Sequence, residues 1–310
     1  SIIIPSMDWY AGNILSVTGE YYGVEKTIEK EFEVFKKSGT SGSSGAGAGG
    51  CAHVSPFDIS SQETNQHGIA FSKSGEKMFV VGSSGIDVNE YTLTGAYCIG
   101  TASFVDSFSI TSQDEKATGL AFSKSGEKMF VVGNDGDDIN EYTLATAWDV
   151  SSASFVDSFS VNSQDRTPTG LAFSKSGEKM FVVGSSDDDV NEYTLTAAWD
   201  VSTASFVDSF DISSQDNDPR GIAFSKSGEK MFVVGNQGDD INEYTLATAW
   251  DVSSASFVDS FAVNSQEATP RDVWFDSSGK TMFIVGSDGD DVNVYKLTVA
   301  WDVSTASFAG

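Results

Sequence analysis

The 310-residue chain carries 45 acids against 18 bases, a formal net charge of -27, with 39% hydrophobic and 12% aromatic residues. That balance argues against nucleic acid and anionic membranes as partners, because phosphate binding relies on clustered Lys and Arg. The apolar content excludes wholesale disorder. No apolar run reaches the length of a membrane-spanning helix, so no transmembrane segment is expected.

Residues 1–37 stand apart in composition and are expected to form an assembly or anchor arm. Ile2, Ile3, Ile4, Trp9, Tyr10, Ile28, Phe32 and Phe35 are large apolar groups in a segment too short for an easy core of its own. Such a segment is expected to dock on another surface, so self-association through residues 1–37 is the expected partner interaction. Val24, Ile28, Phe32 and Phe35 fall at helical spacing and predict a helix over about 24–37, with a strand over 31–34 as the alternative; residues 13–22 read weakly as a strand. Residues 38–50 are only Ser, Gly, Thr and Ala, a flexible linker with a reach of roughly 20 Å.

From residue 51 onward the text repeats. The stretch 68–79 recurs almost verbatim from Gly119, Gly170 and Gly221, with a worn copy from Asp272, always 51 residues on. Each unit reads as four strands separated by Ser-, Gly- and Asp-rich turns, with an apolar second strand such as Lys179–Gly184, buried on both faces. Four strands at this period predict a propeller blade. The Phe/Ser/Gly-Lys/Phe-Val-Val-Gly pattern resembles the WD40-like, YVTN-type β-propeller repeat, and the resemblance implies that fold without a particular function. The expected architecture is all-β: a five-bladed β-propeller over 51–310. Residues 51–60 copy the fourth strand and 306–310 are only its stub, so 51–60 are expected to close the fifth blade.

Chemistry is sparse. His53 and His67 are the only histidines, and no HExxH, Walker or nucleophile-elbow motif is present, so catalysis is not expected. Cys51 and Cys98 lie beside the expected seam. They read either as a disulfide, which implies an oxidising compartment, or as two thiols; zinc held by the Cys and His set is disfavoured by its spacing. Asp135, Asp137, Asp187, Asp188, Asp288 and Asp290 sit in acidic turns. They are weak Ca2+ candidates, no cofactor being otherwise implied, and Asp and Gly also simply suit tight turns. The last acid of each turn (Asp87, Asp138, Asp189, Asp240, Asp291) is expected to cap local amides. The pairs Trp148-Asp149, Trp199-Asp200, Trp250-Asp251 and Trp301-Asp302 could stack and hydrogen-bond a sugar, or serve inter-blade packing.

These readings together point to a non-catalytic structural or adhesive protein on an extracellular surface, fibre or virion. A displayed propeller and an assembly arm would divide the work, with cell-surface glycan or protein as the possible outside partner. A multivalent glycan-binding lectin is the alternative, and a propeller lactonase is disfavoured by the missing catalytic constellation.

Overall fold

The computed structural model describes residues 14–21, 24–31 and 56–310. The chain divides into two compact units, Ser1–Gly50 and Cys51–Gly310. In the first, β1 (Ile14–Tyr21) and β2 (Val24–Glu31) pair antiparallel, with Val17 opposite Ile28 and Tyr21 opposite Val24. The helix expected from Val24 is therefore corrected over 24–31 to a strand. Val24 and Ile28 are four apart, and four is a repeat of both the helical and the two-residue period, so the spacing could not separate them. Ile2, Ile3, Ile4, Trp9, Tyr10, Phe32, Phe35, the linker 38–50 and Cys51 lie outside the described residues.

The second unit is a ring of five four-stranded antiparallel blades. The third blade illustrates them: inner strand Pro168–Phe173, second strand Lys179–Gly184, third Asp189–Leu195 and outer Ala204–Asp211. The five inner strands contact one another in an unbroken circle, the fifth touching the first. The cores lie between blades. Met180 and Val182 point into the cluster shared with blade two, whereas Phe181 and Val183 point into the one shared with blade four. This alternation explains why the second strand reads as continuously apolar: both of its faces are buried. Ten fully or nearly fully buried side chains make the core between blades two and three, worth on the order of 20 kcal/mol as an upper bound.

Four of the five interfaces also carry an ionic clasp. Lys179 Nζ lies 2.6 Å from Glu192 Oε1 and donates to Trp250 O of the next blade at 2.6 Å, while Glu192 Oε2 accepts from Val252 N at 3.0 Å. Lys77–Glu90, Lys128–Glu141 and Lys230–Glu243 repeat the arrangement. The glutamates are buried. The clasp grips a strained turn, because Trp148, Trp199, Trp250 and Trp301 all have φ near +62°, a region bulky residues rarely adopt. Each indole lies on a first-turn glycine of its own blade. A Cβ on Gly228 would come within 2.2 Å of the Trp250 ring, so no other residue fits there.

The fifth blade departs from this plan. Thr281 and Val294 stand where the clasp pair would be, and Trp274 replaces a repeated alanine. Trp274 packs against Phe71 of the first blade, with ring centroids 4.8 Å apart, and against Tyr97 at 5.5 Å. The seam is thus aromatic rather than ionic. Its outer strand comes from both ends of the unit: β3 (Phe57–Asp58) and the segment Ala306–Phe308 pair successive parts of the third strand, with Val292 opposite Phe57 and Tyr295 opposite Phe308.

The acidic turns are capped differently from expectation. Asp138 Oδ1 accepts from the Asn140 side chain at 2.8 Å rather than from turn amides. The amides are held by buried carboxylates of the preceding connection: Glu63 accepts from Ser84 N and Gly85 N, and Asp114 from Asp135 N and Gly136 N.

The blade-five exchange predicts a coupling. Lys179→Thr leaves Glu192 buried and unpaired and is expected to cost about 3 kcal/mol. Adding Glu192→Val removes the stranded charge and should recover part of that loss. Urea unfolding of the two singles and the double checks this; simple addition of the single effects would contradict the clasp.

Candidate functional site

Every inner strand slips register at one residue. Gln66 pairs with Gly82 and Gly68 with Val81, which leaves His67 bulged between them. The same slip falls at Thr118, Thr169, Arg220 and Arg271. A bulge re-aims a side chain, and here the five bulged residues, one per blade, line a single cavity of about 10 Å³. A cavity lined equally by five neighbouring inner strands lies on the axis of the ring. The next position is Gly68, Gly119, Gly170 or Gly221, where the backbones approach closely: a Cβ on Gly170 would lie 2.9 Å from the Gly221 Cα.

The blades are near copies, yet this position reads His, Thr, Thr, Arg, Arg. The basic residues fall on three successive blades, four, five and one, so one side of the axis is cationic and the other neutral. The threonines tie blades together, Thr118 Oγ1 donating to Pro168 O and Thr169 Oγ1 to Pro219 O. Arg220 donates through Nη2 to Asp218 at 2.6 Å. The Nε atoms of Arg220 and Arg271 are buried without a hydrogen-bond partner. His67 Nε2 lies 3.2 Å from Ser83 Oγ. Burial, then the charges of Arg271 and Arg220, push the His67 pKa down to about 4, so the imidazole is neutral at pH 7. Burial and Arg220 also lower the pKa of Arg271. Two guanidinium groups, a neutral base and little room make a site for an anion, with a proton acceptor beside it.

In blade five the glycine that follows is replaced by Asp272. Its carboxylate is buried and spans the seam, Oδ2 accepting from Ile69 N of blade one at 2.9 Å and Oδ1 from Val273 N at 2.8 Å. Burial raises its pKa to about 7 despite both hydrogen bonds.

A larger hollow of about 720 Å³ lies among the first turns, lined by Lys124, Lys175, Lys179 and Trp250 among others. Nearly all of its residue types recur 51 positions away, so unlike the axis it is not set apart by sequence.

The residues expected to bind a ligand are elsewhere. Trp148 stacks on Phe79 of the preceding blade at 6.1 Å and tilts against Phe122 at 5.3 Å; Trp199, Trp250 and Trp301 do the same. One indole face lies on glycine and the ring packs against phenylalanines, while Trp148, Trp199, Trp250 and Trp301 each stay partly exposed. The acids beside them are used within the turn: Asp149 and Asp200 accept from Ser151 N and Ser202 N, and Asp251 and Asp302 from Ser253 and Ser304 hydroxyls. Among the described residues no three His, Cys, Asp or Glu side chains converge as a metal site. Asp137, Asp188 and Asp290 take the left-handed turn position, Asp135 pairs with Lys116, and Asp187 and Asp288 are not drawn into a cluster. Cys98 is disulfide-bonded. No helix among the described residues is long and apolar enough to cross a membrane.

The axial cluster escaped the motif search because its members are 51 residues apart. The available signal was the change of residue at one column of an otherwise repeated text.

No family model matches the chain, and no curated protein matches it. Solved structures share the fold. A chain of a nidogen/laminin complex is 13% identical, with a TM-score of 0.50, covering 76% of this chain and 78% of that one. A candidate 6-phosphogluconolactonase of Bacteroides uniformis is 13% identical, TM-score 0.48, covering 78% and 70%. The periplasmic gluconolactonase of Pseudomonas aeruginosa is 15% identical, TM-score 0.45, covering 78% and 68%. The first of these similarities supports the β-propeller fold. The expectation of a non-catalytic structural or adhesive protein is withdrawn, since nothing in the structure supports such a role; two of the neighbours bear lactonase names.

Asp272 gives this site a pH signature. Its folded-state pKa is near 7, against about 3.9 for an unfolded aspartate, so the folded protein holds the proton more tightly. Its contribution is complete below about pH 4 and is lost as pH rises through 7. His67 acts in the opposite sense, but only below about 6.5. Thermal unfolding between pH 5 and 8 should therefore show the native chain losing stability relative to Asp272→Asn as pH rises, with the difference levelling off above about 7. Parallel curves would refute the assignment.

Proposed function

We propose that the chain is a hydrolase with its reaction centre on the propeller axis, acting on an anionic ester of the sugar-acid lactone class. The observation that carries this reading is the gathering of His67, Arg220 and Arg271 around one cavity in a protein of net charge -27. The cavity itself is too small for a sugar ring. The substrate would rest over its mouth and pass a single anionic oxygen inward to the arginines. That oxygen would offset the arginine charges that add to burial in depressing His67, and so raise its pKa. His67 would then be matched to accept a proton from the attacking water at neutral pH. By holding that oxygen, Arg220 and Arg271 would position the ester beside His67. The reaction class agrees with the names of two propellers of like fold, and the weight rests on the axial residues.

We read the blades as members of the WD40-like, YVTN-type repeat family, a reading supported by the Ser-Lys-Ser-Gly-Glu-Lys and Phe-Val-Val-Gly segments. We also propose an oxidising, extracytoplasmic setting, supported by the disulfide at Cys98.

The test is hydrolysis of δ-gluconolactone and its 6-phosphate, measured above the spontaneous rate. The native chain should accelerate one of them, His67→Ala should lose about 10²-fold or more, and Arg271→Ala should lose activity for the more anionic substrate preferentially. No acceleration by the native chain, or unchanged rates in both variants, would overturn the reading.

A further inference from the structure

The axial cavity is out of balance before any substrate arrives. Three basic side chains line it, and the two threonines complete the ring. Arg220 has one carboxylate partner, Asp218, beside the cavity rather than among the residues lining it. Arg220 and Arg271 each keep a buried Nε–H with no acceptor. A buried donor left unpaired is unfavourable by about 1–3 kcal/mol, more when the group is charged. The two guanidinium groups also repel: each lowers the pKa of His67, and Arg220 lowers that of Arg271. The opposing acids named there are Asp218 and Glu267. Glu267 is already engaged, accepting from Thr269 N at 2.9 Å and Asp288 N at 3.1 Å.

Water can satisfy a donor but not offset like charges. An anion does both. The free volume, about 10 Å³, is that of roughly one water-sized particle, which excludes a whole phosphate, sulfate or carboxylate-bearing molecule. The neutral walls, Thr118 and Thr169, spend their hydroxyl protons on blade-to-blade bonds, so the cationic side governs what is held.

We infer that the axial cavity of the ligand-free protein binds one small monovalent anion of halide size, held by Arg220 and Arg271 beside His67. The inference rests on reading the axis as an anion site, and it does not require catalysis. The halide occupies the place that a substrate oxygen takes in the proposed reaction. It therefore acts as a competitor as well as a structural ion that relieves repulsion between blades four, five and one.

Bromide is the probe. Crystals of the full chain grown without halide and soaked in sodium bromide should show an anomalous peak at the axis, within hydrogen-bond reach of Arg220 and Arg271. In solution, replacing sodium methanesulfonate by sodium bromide at matched ionic strength should raise the unfolding midpoint by about 2 °C or more. That rise should vanish in Arg271→Gln. If Arg271→Gln fails to fold, His67→Gln serves: it keeps both arginines and should retain the axial peak. An empty axis in the bromide-soaked native crystal, or an equal rise in Arg271→Gln, overturns the inference. Neither measurement involves an ester, so bromide binding without lactone hydrolysis would sink the proposed reaction and leave this site standing. Hydrolysis without axial bromide would do the reverse.

Discussion

The structure depends on each blade being completed by the next. A four-stranded sheet with both faces apolar cannot stand alone in water, and here every core is shared between two blades. Apolar burial supplies most of the stabilisation. The Lys–Glu clasps add less, since removing such charges from water offsets much of what their pairing returns. Their contribution is to register: the clasp takes the carbonyl of a left-handed tryptophan and the amide of the valine two residues later on the next blade, which fixes how the two sheets meet. The strain in that turn is held by the glycine beneath the indole and by the lysine above it.

This frame is nearly symmetric, which makes its exceptions informative. Two sets of residues break the symmetry. One set closes the ring: Thr281, Val294, Trp274 and the strand β3 all bear on the meeting of blades five and one. The other set lies on the axis, where bulges turn His67, Thr118, Thr169, Arg220 and Arg271 into one cavity. Asp272 belongs to both, because it fills a glycine position on the axis and hydrogen-bonds across the seam. Burying two guanidinium groups this close together sets them against each other, with Asp218 and Glu267 the acids opposing that repulsion.

Much of the fold was legible. The 51-residue period and the apolar second strand led directly to five blades, because a strand buried on both faces must lie between layers. The strand β1 was legible at 13–22, but its partner β2 was not, since Val24 and Ile28 satisfy both periods. The tryptophans showed that a repeated feature was present but not its role; only the coordinates reveal the glycine and phenylalanines covering the rings. The axial site was hidden for a different reason. Its residues are adjacent only once the ring closes, and a search for local motifs passes over three residues separated by 51 or more. Comparing the copies column by column would have found it, because chemistry in a repeat protein sits where the copies disagree.

The central claim is that His67 shares the axial cavity with two arginines that await an anion. Nitrogen-15 histidine NMR across a pH titration addresses it directly, with a His53→Gln chain to leave one imidazole signal. In halide-free buffer the account predicts a neutral His67 ring down to about pH 4, and a pKa that rises when bromide is added. A His67 that titrates near 6.5 and ignores bromide would contradict it.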